Sequence, residues 1–292
     1  MSDDTLAGAV PIGVCVDDFG LDAAIDLAAL RLAAQERVSA ISCMTRAPGW
    51  RAAASALASV SAQADLGLHL DFTQAGGGAL HRGLALFIAA AYLRRLDARV
   101  LRDEIQAQLD AFEDGVGAAP DHVDGHQHVH QLPGVREALL AELVRRYPRQ
   151  QPWLRDTQPS SGLALAGPAA ADHRKQRLIA TLGARRLRGL ARSVGLPMNV
   201  HLLGVYGFSG TAEAYAQRLA AWCAQARHGD LLMCHPAVAA PATDPIGAAR
   251  HQEYGVLGGE RFGALLLQHG LRVERLSHVL DGSRMPARPA TT

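Results

Sequence analysis

Short apolar runs alternate along the chain with longer stretches in which apolar residues recur every three or four positions. The short runs are rich in Val, Ile and Leu and end at polar or turn-forming residues. They predict strands at 10–16, 38–44, 66–70, 121–124, 200–203, 231–234 and 271–273, with Trp153-Leu154-Arg155 as a further short candidate. Helices are predicted at 22–36, where Ile25, Ala28, Ala29 and Leu32 share one face and Asp22 caps the start. Further helices are expected over the Ala/Ser-rich segment 52–62, over 84–114, from Pro133 to about 146, over 211–227 and near 259–268. The basic segment 172–193 reads as a single helix with a solvated outer face. Loops are expected at 71–82, with Gly76-Gly77-Gly78, and at 158–171, rich in Ser, Gly, Pro and Ala.

Strand–helix alternation over the whole length argues for an α/β fold: a parallel sheet with both faces covered, as a barrel or an open doubly wound sheet. Asp17-Asp18, His69, His126 and His235 all fall at C-terminal ends of predicted strands. Both architectures place their ligands there. After the first strand, Gly20 is followed by Leu-Asp-Ala-Ala-Ile, so no glycine-rich dinucleotide fingerprint is present.

Composition narrows the function classes. With 292 residues, 49% hydrophobic, 20% charged and a formal net charge of +1, the chain lacks the basic field expected of a nucleic-acid binder. Lys175 is the only lysine, so Schiff-base chemistry would have to use a residue in a polar Asp-His-Arg-Lys-Gln-Arg run. Cys15, Cys43, Cys223 and Cys234 are widely spaced and suggest small hydrophobes rather than a disulfide framework. The first five residues are acidic, unlike a signal peptide, and the apolar stretch 84–93 is too short to span a bilayer. A cytoplasmic protein is the expectation, and a homodimer is left open.

The chemistry concentrates in Asp121-His122-Val123-Asp124-Gly125-His126-Gln127-His128-Val129-His130, which holds four of the 13 histidines. In an extended backbone His122, Asp124, His126, His128 and His130 would share one side. Imidazole and carboxylate together suit a divalent metal, though a His-rich surface loop has the same composition. Asp17-Asp18-Phe19-Gly20 sets two carboxylates after a strand, where one could ligate an ion while its neighbour faces the reacting centre. His69, between Leu68 and Leu70, and His235, before Pro236, read equally well as core histidines or as site residues.

Four ordered motifs together resemble the ChbG/YdjC family of carbohydrate deacetylases, which includes the hopanoid-biosynthesis HpnK branch. They are Asp17-Asp18-Phe19-Gly20-Leu21, Gly67-Leu68-His69-Leu70, His122 through His130, and Met233-Cys234-His235-Pro236. The resemblance covers roughly residues 10–280 and implies an irregular, TIM-like (β/α) barrel forming a single domain over 1–292, with loop insertions near 71–83 and 156–171. It implies one divalent ion, Mg²⁺ or Zn²⁺, held by Asp18, His69 and His126, with Asp17 as general base and His235 as acid or oxyanion partner. Asp124, His128 and Arg155 are carried as substrate-binding or supporting residues, and His130 as pocket-lining or structural. The implied substrate is a small N-acetylated sugar or glycoconjugate.

The chain departs from the family pattern at Leu70-Asp71-Phe72-Thr73, which brings an extra carboxylate, and at Asp124-Gly125-His126, where the family has Asp-Ser-His. Val205-Tyr206-Gly207-Phe208 corresponds to the later substrate loop. Two other classes stay open. A two-metal phosphoesterase or amidohydrolase could recruit His128, His130 and Asp71. A non-catalytic binder on the same fold would have no need of Asp17.

Overall fold

The computed structural model describes residues 8–74, 80, 83–160, 168–240 and 243–280. The Gly76-Gly77-Gly78 run and residues 161–167 of the predicted loop 158–171 lie outside the described residues, as do parts of both predicted insertions. Eight strands form the sheet: β1 (Val10–Phe19), β2 (Ala40–Cys43), β3 (Asp65–Leu70), β4 (His122–Gly125), β5 (Trp153–Leu154), β6 (Leu202–Leu203), β7 (Leu231–Cys234) and β8 (Leu271–Val273). Their order is β5-β4-β3-β2-β1-β7-β6, every pairing is parallel, and β8 joins the first residues of β1. β2, β3, β4 and β7 are buried along their whole length, as expected of parallel strands covered on both faces. The sheet curls into a half-barrel. Between its edges, β5 and β6, the chain is laced by irregular segments: Leu154 N–H donates to the Pro197 carbonyl, and Leu202 N–H to that of Gln158.

The helices are α1 (Ala23–Ala34), α2 (Trp50–Ala53), α3 (Leu84–Tyr92), α4 (Ala98–Val116), α5 (Val135–Arg146), α6 (Pro168–Thr181), α7 (Ala184–Ser193), α8 (Ala212–Gln225), α9 (Gly247–Leu257), α10 (Glu260–Gln268) and α11 (Leu276–Val279). Asp22 caps α1 by accepting from Ala24 N–H at 2.8 Å, and Ile25, Ala28, Ala29 and Leu32 are buried, as the spacing predicts. Four expectations need correction. The segment 84–114 is two helices: Arg94 turns into the left-handed region (φ 54°), and Asp97 then caps a new start. The segment 52–62 is only a short α-turn followed by a 3₁₀ stretch, Ala54–Val60. The segment 172–193 is broken at Gly183, whose φ of 137° and close approach to the Gln131 carbonyl leave no room for a Cβ. Its first half also is not merely solvated, because Ile179 and Leu182 line a cleft. Finally, α9 was not anticipated.

At the N-terminal end of the barrel, buried Asp65 accepts from Trp153 Nε1 (2.9 Å), Arg275 Nε (2.8 Å), and both Ser277 N (2.9 Å) and Oγ (2.5 Å). It ties β3, β5 and the last segment together, far along the strands from the site residues. Asp65→Ala strands buried donors and is expected to destabilise by roughly 3 kcal/mol in urea melts. A loss below about 1 kcal/mol would contradict this role.

Candidate active site

The site begins with an irregularity at the end of β1. The β1–β2 register shifts between Val16 and Phe19, and Asp18 adopts a left-handed backbone (φ 71°). Gly20 follows at φ 95° with its N–H bound to Asp26 Oδ1 at 2.6 Å. A left-handed non-glycine residue costs on the order of 1 kcal/mol or more. Here it turns the side chains of Asp17 and Asp18 into one cavity. The expectation that adjacent carboxylates must face apart holds for a regular strand and fails at this one.

Opposite, β3 and β4 pair His69 with Asp124. Asp124 Oδ1 accepts the Nδ1–H of His69 at 2.6 Å, which turns Nε2 toward Asp18 Oδ1 at 3.4 Å. His126 Nδ1 lies 3.0 Å from the same oxygen. Its Nε2 meets the Gln74 side-chain amide at 3.1 Å, so the carbonyl end of that amide can accept Nε2–H when Nδ1 is the ligand. One ligand atom each from Asp18, His69 and His126 lies within 4.8 Å of the others. Arg250 holds the second oxygen of Asp18 at 2.6 Å and reaches Asp244 at 2.5 Å.

The charges test whether a cation fits. Asp17, Asp18 and Asp124 are buried, Asp244 is partly so, and Arg155 and Arg250 are the two buried guanidinium groups among them. Carboxylates thus outnumber guanidinium groups around the cavity, an excess of buried negative charge that a cation would offset. Electrostatics agree. Burial alone would suppress a charge on His69, yet Asp124 and Asp17 push its pKa up to about 10, so without an ion a proton fills that place. Asp18 is held well below the usual range: burial opposes this, and His126 and Arg250 prevail.

On the other side, Arg155 is fully buried and grips Asp17 with two bonds, NH1–Oδ2 at 2.7 Å and NH2–Oδ1 at 2.6 Å, while also pairing with Asp124. Burial raises Asp17, but Arg155 outweighs it and keeps the carboxyl below its ordinary value. His235 Nε2 stands 3.8 Å from Asp17 Oδ2, with its ring edge-on to Phe208. Burial lowers the His235 pKa to about 4. Its backbone N–H is held by Glu253 at 2.6 Å, which also accepts from Tyr206 Oη at 2.6 Å.

The histidine cluster does not stay extended. Past Gly125, Gln127 (φ 53°) and His128 (φ 61°) are left-handed, so His122 through His130 do not share a face. His126 turns to Asp18 and His128 lines the cleft, whereas His130 is buried and bonds the Arg155 carbonyl through Nε2 at 3.0 Å. His122 lies beneath the site, stacked on Trp153.

The sequence of the chain matches the model of the YdjC-like protein family over residues 11–268. The chain belongs to the YdjC-like family. Human and mouse proteins named carbohydrate deacetylase are 48% identical over 52 residues and 51% identical over 47 residues. These segments span 18% and 16% of this chain, and only 16% and 15% of the human and mouse proteins. Among solved structures, an Enterococcus faecalis protein described as a cellobiose-phosphate cleavage protein aligns over 93% of this chain and 99% of its own, with TM-score 0.67 and 18% identity. A peptidoglycan N-acetylglucosamine deacetylase aligns over 94% and 90%, with TM-score 0.50 and 9% identity. At these identities the likeness is one of fold.

In this YdjC-like chain the residues singled out from sequence, Asp17, Asp18, His69, Asp124, His126, His128, Arg155 and His235, gather at the C-terminal mouth of the half-barrel. Asp71 does not join them: its Oδ1 accepts from Thr73 N and Gln74 N, shaping the turn that delivers Gln74 to His126. Cys15 is no simple hydrophobe, since Arg155 donates to its sulfur at 3.2 Å. Arg250 and Glu253 escaped the sequence reading; their three-residue spacing on α9 puts both on one helix face, a signal available once that helix is recognised. Above the polar floor, a cleft of about 580 Å³ is walled by Leu84, Ile88, Ile179, Leu182 and Phe208. Lys175 stands at its side, its Nζ donating to the Tyr206 carbonyl at 2.6 Å over the Phe208 ring.

Proposed function

We propose that the chain is a metal-dependent carbohydrate N-deacetylase that hydrolyses an acetamide on a small N-acetylated sugar or glycoconjugate. The observation that carries this reading is an ion-sized three-ligand nest, Asp18–His69–His126, beside a second carboxylate, Asp17, that the nest does not use. A divalent ion bound there would act as a Lewis acid toward the acyl oxygen and acidify a water. Asp17, kept ionised by Arg155, accepts the proton from that water. His235 is neutral in the free site and a weak base, so once it receives a proton it is a strong acid for the departing amine. Its 3.8 Å separation from Asp17 lets the same proton pass from base to acid as the reaction proceeds. The names of the human and mouse relatives and the family membership support a sugar substrate.

Two imidazoles and one carboxylate suit Zn²⁺, or Mg²⁺ with more water in the sphere. The two-ion phosphoesterase reading loses support, because His130 and Asp71 are engaged elsewhere and only His128 of its three extra ligands lines the cleft. The four cysteines are unpaired, which favours a reducing, cytoplasmic setting, and no helix among the described residues is long and apolar enough to cross a membrane.

The direct test is acetate release from N-acetylated mono- and disaccharides across a series of divalent ions. His69→Ala and His126→Ala are expected to lose bound metal and activity together. Full occupancy in both variants by elemental analysis would remove the ligand assignment, and no acetate from any sugar tested would remove the substrate class.

A further inference from the structure

Beneath the proposed ion site lies a second polar layer, sealed from solvent, in which Ser42 and His122 have no part in the chemistry above. Ser42 Oγ lies 2.7 Å from Asp124 Oδ2 and 2.9 Å from His122 Nε2. A hydroxyl has one proton, and an ionised carboxylate can only accept, so that proton goes to Asp124. His122 must then donate its Nε2–H to Ser42, which leaves Nδ1 as the bare nitrogen. That atom is indeed buried without a partner. Asp124 in turn spends its other oxygen on the Nδ1–H of His69.

We infer that Ser42 and His122 are positioning residues, forming a one-directional hydrogen-bond chain, His122 to Ser42 to Asp124, that fixes the ligand orientation and tautomer of His69. The inference rests on the metal-site reading above. The direction is what matters. Ser42 and Arg155 both donate to Oδ2, which holds the carboxylate with Oδ1 toward the Nδ1–H of His69 and so keeps Nε2 turned to the cavity, free to ligate an ion. Two features fix the origin of the chain. Trp153 stacks on the His122 ring at 4.4 Å and 14° between planes, its own Nε1–H anchored by Asp65. On the other face, a Cβ on Gly67 would overlap the His122 ring, so the Gly of the Gly67-Leu68-His69-Leu70 motif makes room for it. The motif thus carries both the ligand and the space for the residue that orients it.

The test uses Ser42→Ala, His122→Phe, which keeps ring size and stacking, and the double variant. Metal dissociation constants come from competition with a chromogenic chelator, kcat and KM from acetate release, and Tm from the metal-free proteins. Each single variant is expected to bind metal about tenfold more weakly, as loss of a ligand's outer partner does, and to lose kcat with KM nearly unchanged. The double variant is expected to be no worse than Ser42→Ala alone, because the two residues act through one chain. Ser42→Cys, a similar-sized weak donor, falls between wild type and alanine and serves if alanine does not fold. Dissociation constants within twofold of wild type, with only the metal-free Tm lowered, would make the layer merely structural and overturn the inference. So would additive losses in the double variant. A wild-type protein that binds no ion would instead overturn the proposed function itself.

Discussion

Asp17→Asn is expected to keep its metal and lose turnover by a factor of roughly 10²–10⁴, the usual contribution of a positioned general base. Asparagine preserves size and keeps one oxygen to accept from Arg155, giving up the second of the two bonds, and it accepts no proton at neutral pH. With chemistry slow, KM changes little and the loss appears in kcat. Asp18→Asn is expected to behave differently, with weakened metal binding and partial rescue by added ion. What separates the two residues is their partners rather than the direction of a strand. Asp18 sits between two imidazoles and gives its second oxygen to Arg250. Asp17 is gripped by Arg155 and faces His235. Activity titrated against metal for both variants decides the matter. Rescue of Asp17→Asn but not of Asp18→Asn would reverse the roles, and indifference to both would end the acid–base mechanism.

Arg155→Met is expected to cost roughly 3–5 kcal/mol at neutral pH, because it leaves carboxylates buried without their counter-charge. Arg155 is fully buried between Asp17 and Asp124, and its charge helps hold both below their ordinary values against the opposing effect of burial. The sign of the pH dependence follows. For a carboxylate depressed in the folded state, the stabilisation is complete above its unfolded value near 3.9 and fades as pH falls through the folded one. The gap between wild type and variant should therefore be widest near neutrality and narrow below about pH 4. Urea unfolding at a series of pH values measures it; a gap that widens in acid would contradict the pairing. Arg155→Lys should not restore the loss, since one ammonium cannot reproduce the forked grip on Asp17 together with the contact to Asp124.

Much of this was legible in the chain because buried parallel strands announce themselves as apolar runs. The runs ending at Asp17, His69 and Cys234 located three strand ends, and with them three corners of the site. The conformations at those ends were not legible. The left-handed turns at Asp18, Gln127 and His128 follow no local preference strong enough to predict; the surrounding fold imposes them. Helix α9 was missed because Gly247-Ala248-Ala249-Arg250-His251-Gln252-Glu253-Tyr254-Gly255 offers hardly any apolar stripe. Its value lies in two polar side chains whose partners, Asp18 and the His235 backbone, are distant in sequence. The break at Gly183 was not legible either, because it depends on the approach of the distant Gln131 carbonyl.

The incomplete closure of the sheet has a consequence for how such a protein can change. The proposed ligand, base and acid residues lie on or just beyond β4, β3, β1 and β7, within an unbroken ladder that also includes β2. The chain between β5 and β6, by contrast, crosses the gap without ladder pairing, and from it comes the wall formed by Lys175, Ile179 and Leu182. Arg155, at the start of that stretch, grips Asp17 and Asp124 and would have to stay, but rebuilding the rest would disturb few hydrogen bonds to the site residues. A lineage could therefore reshape that wall of the cleft while Asp17, Asp18, His69, His126 and His235 keep their places.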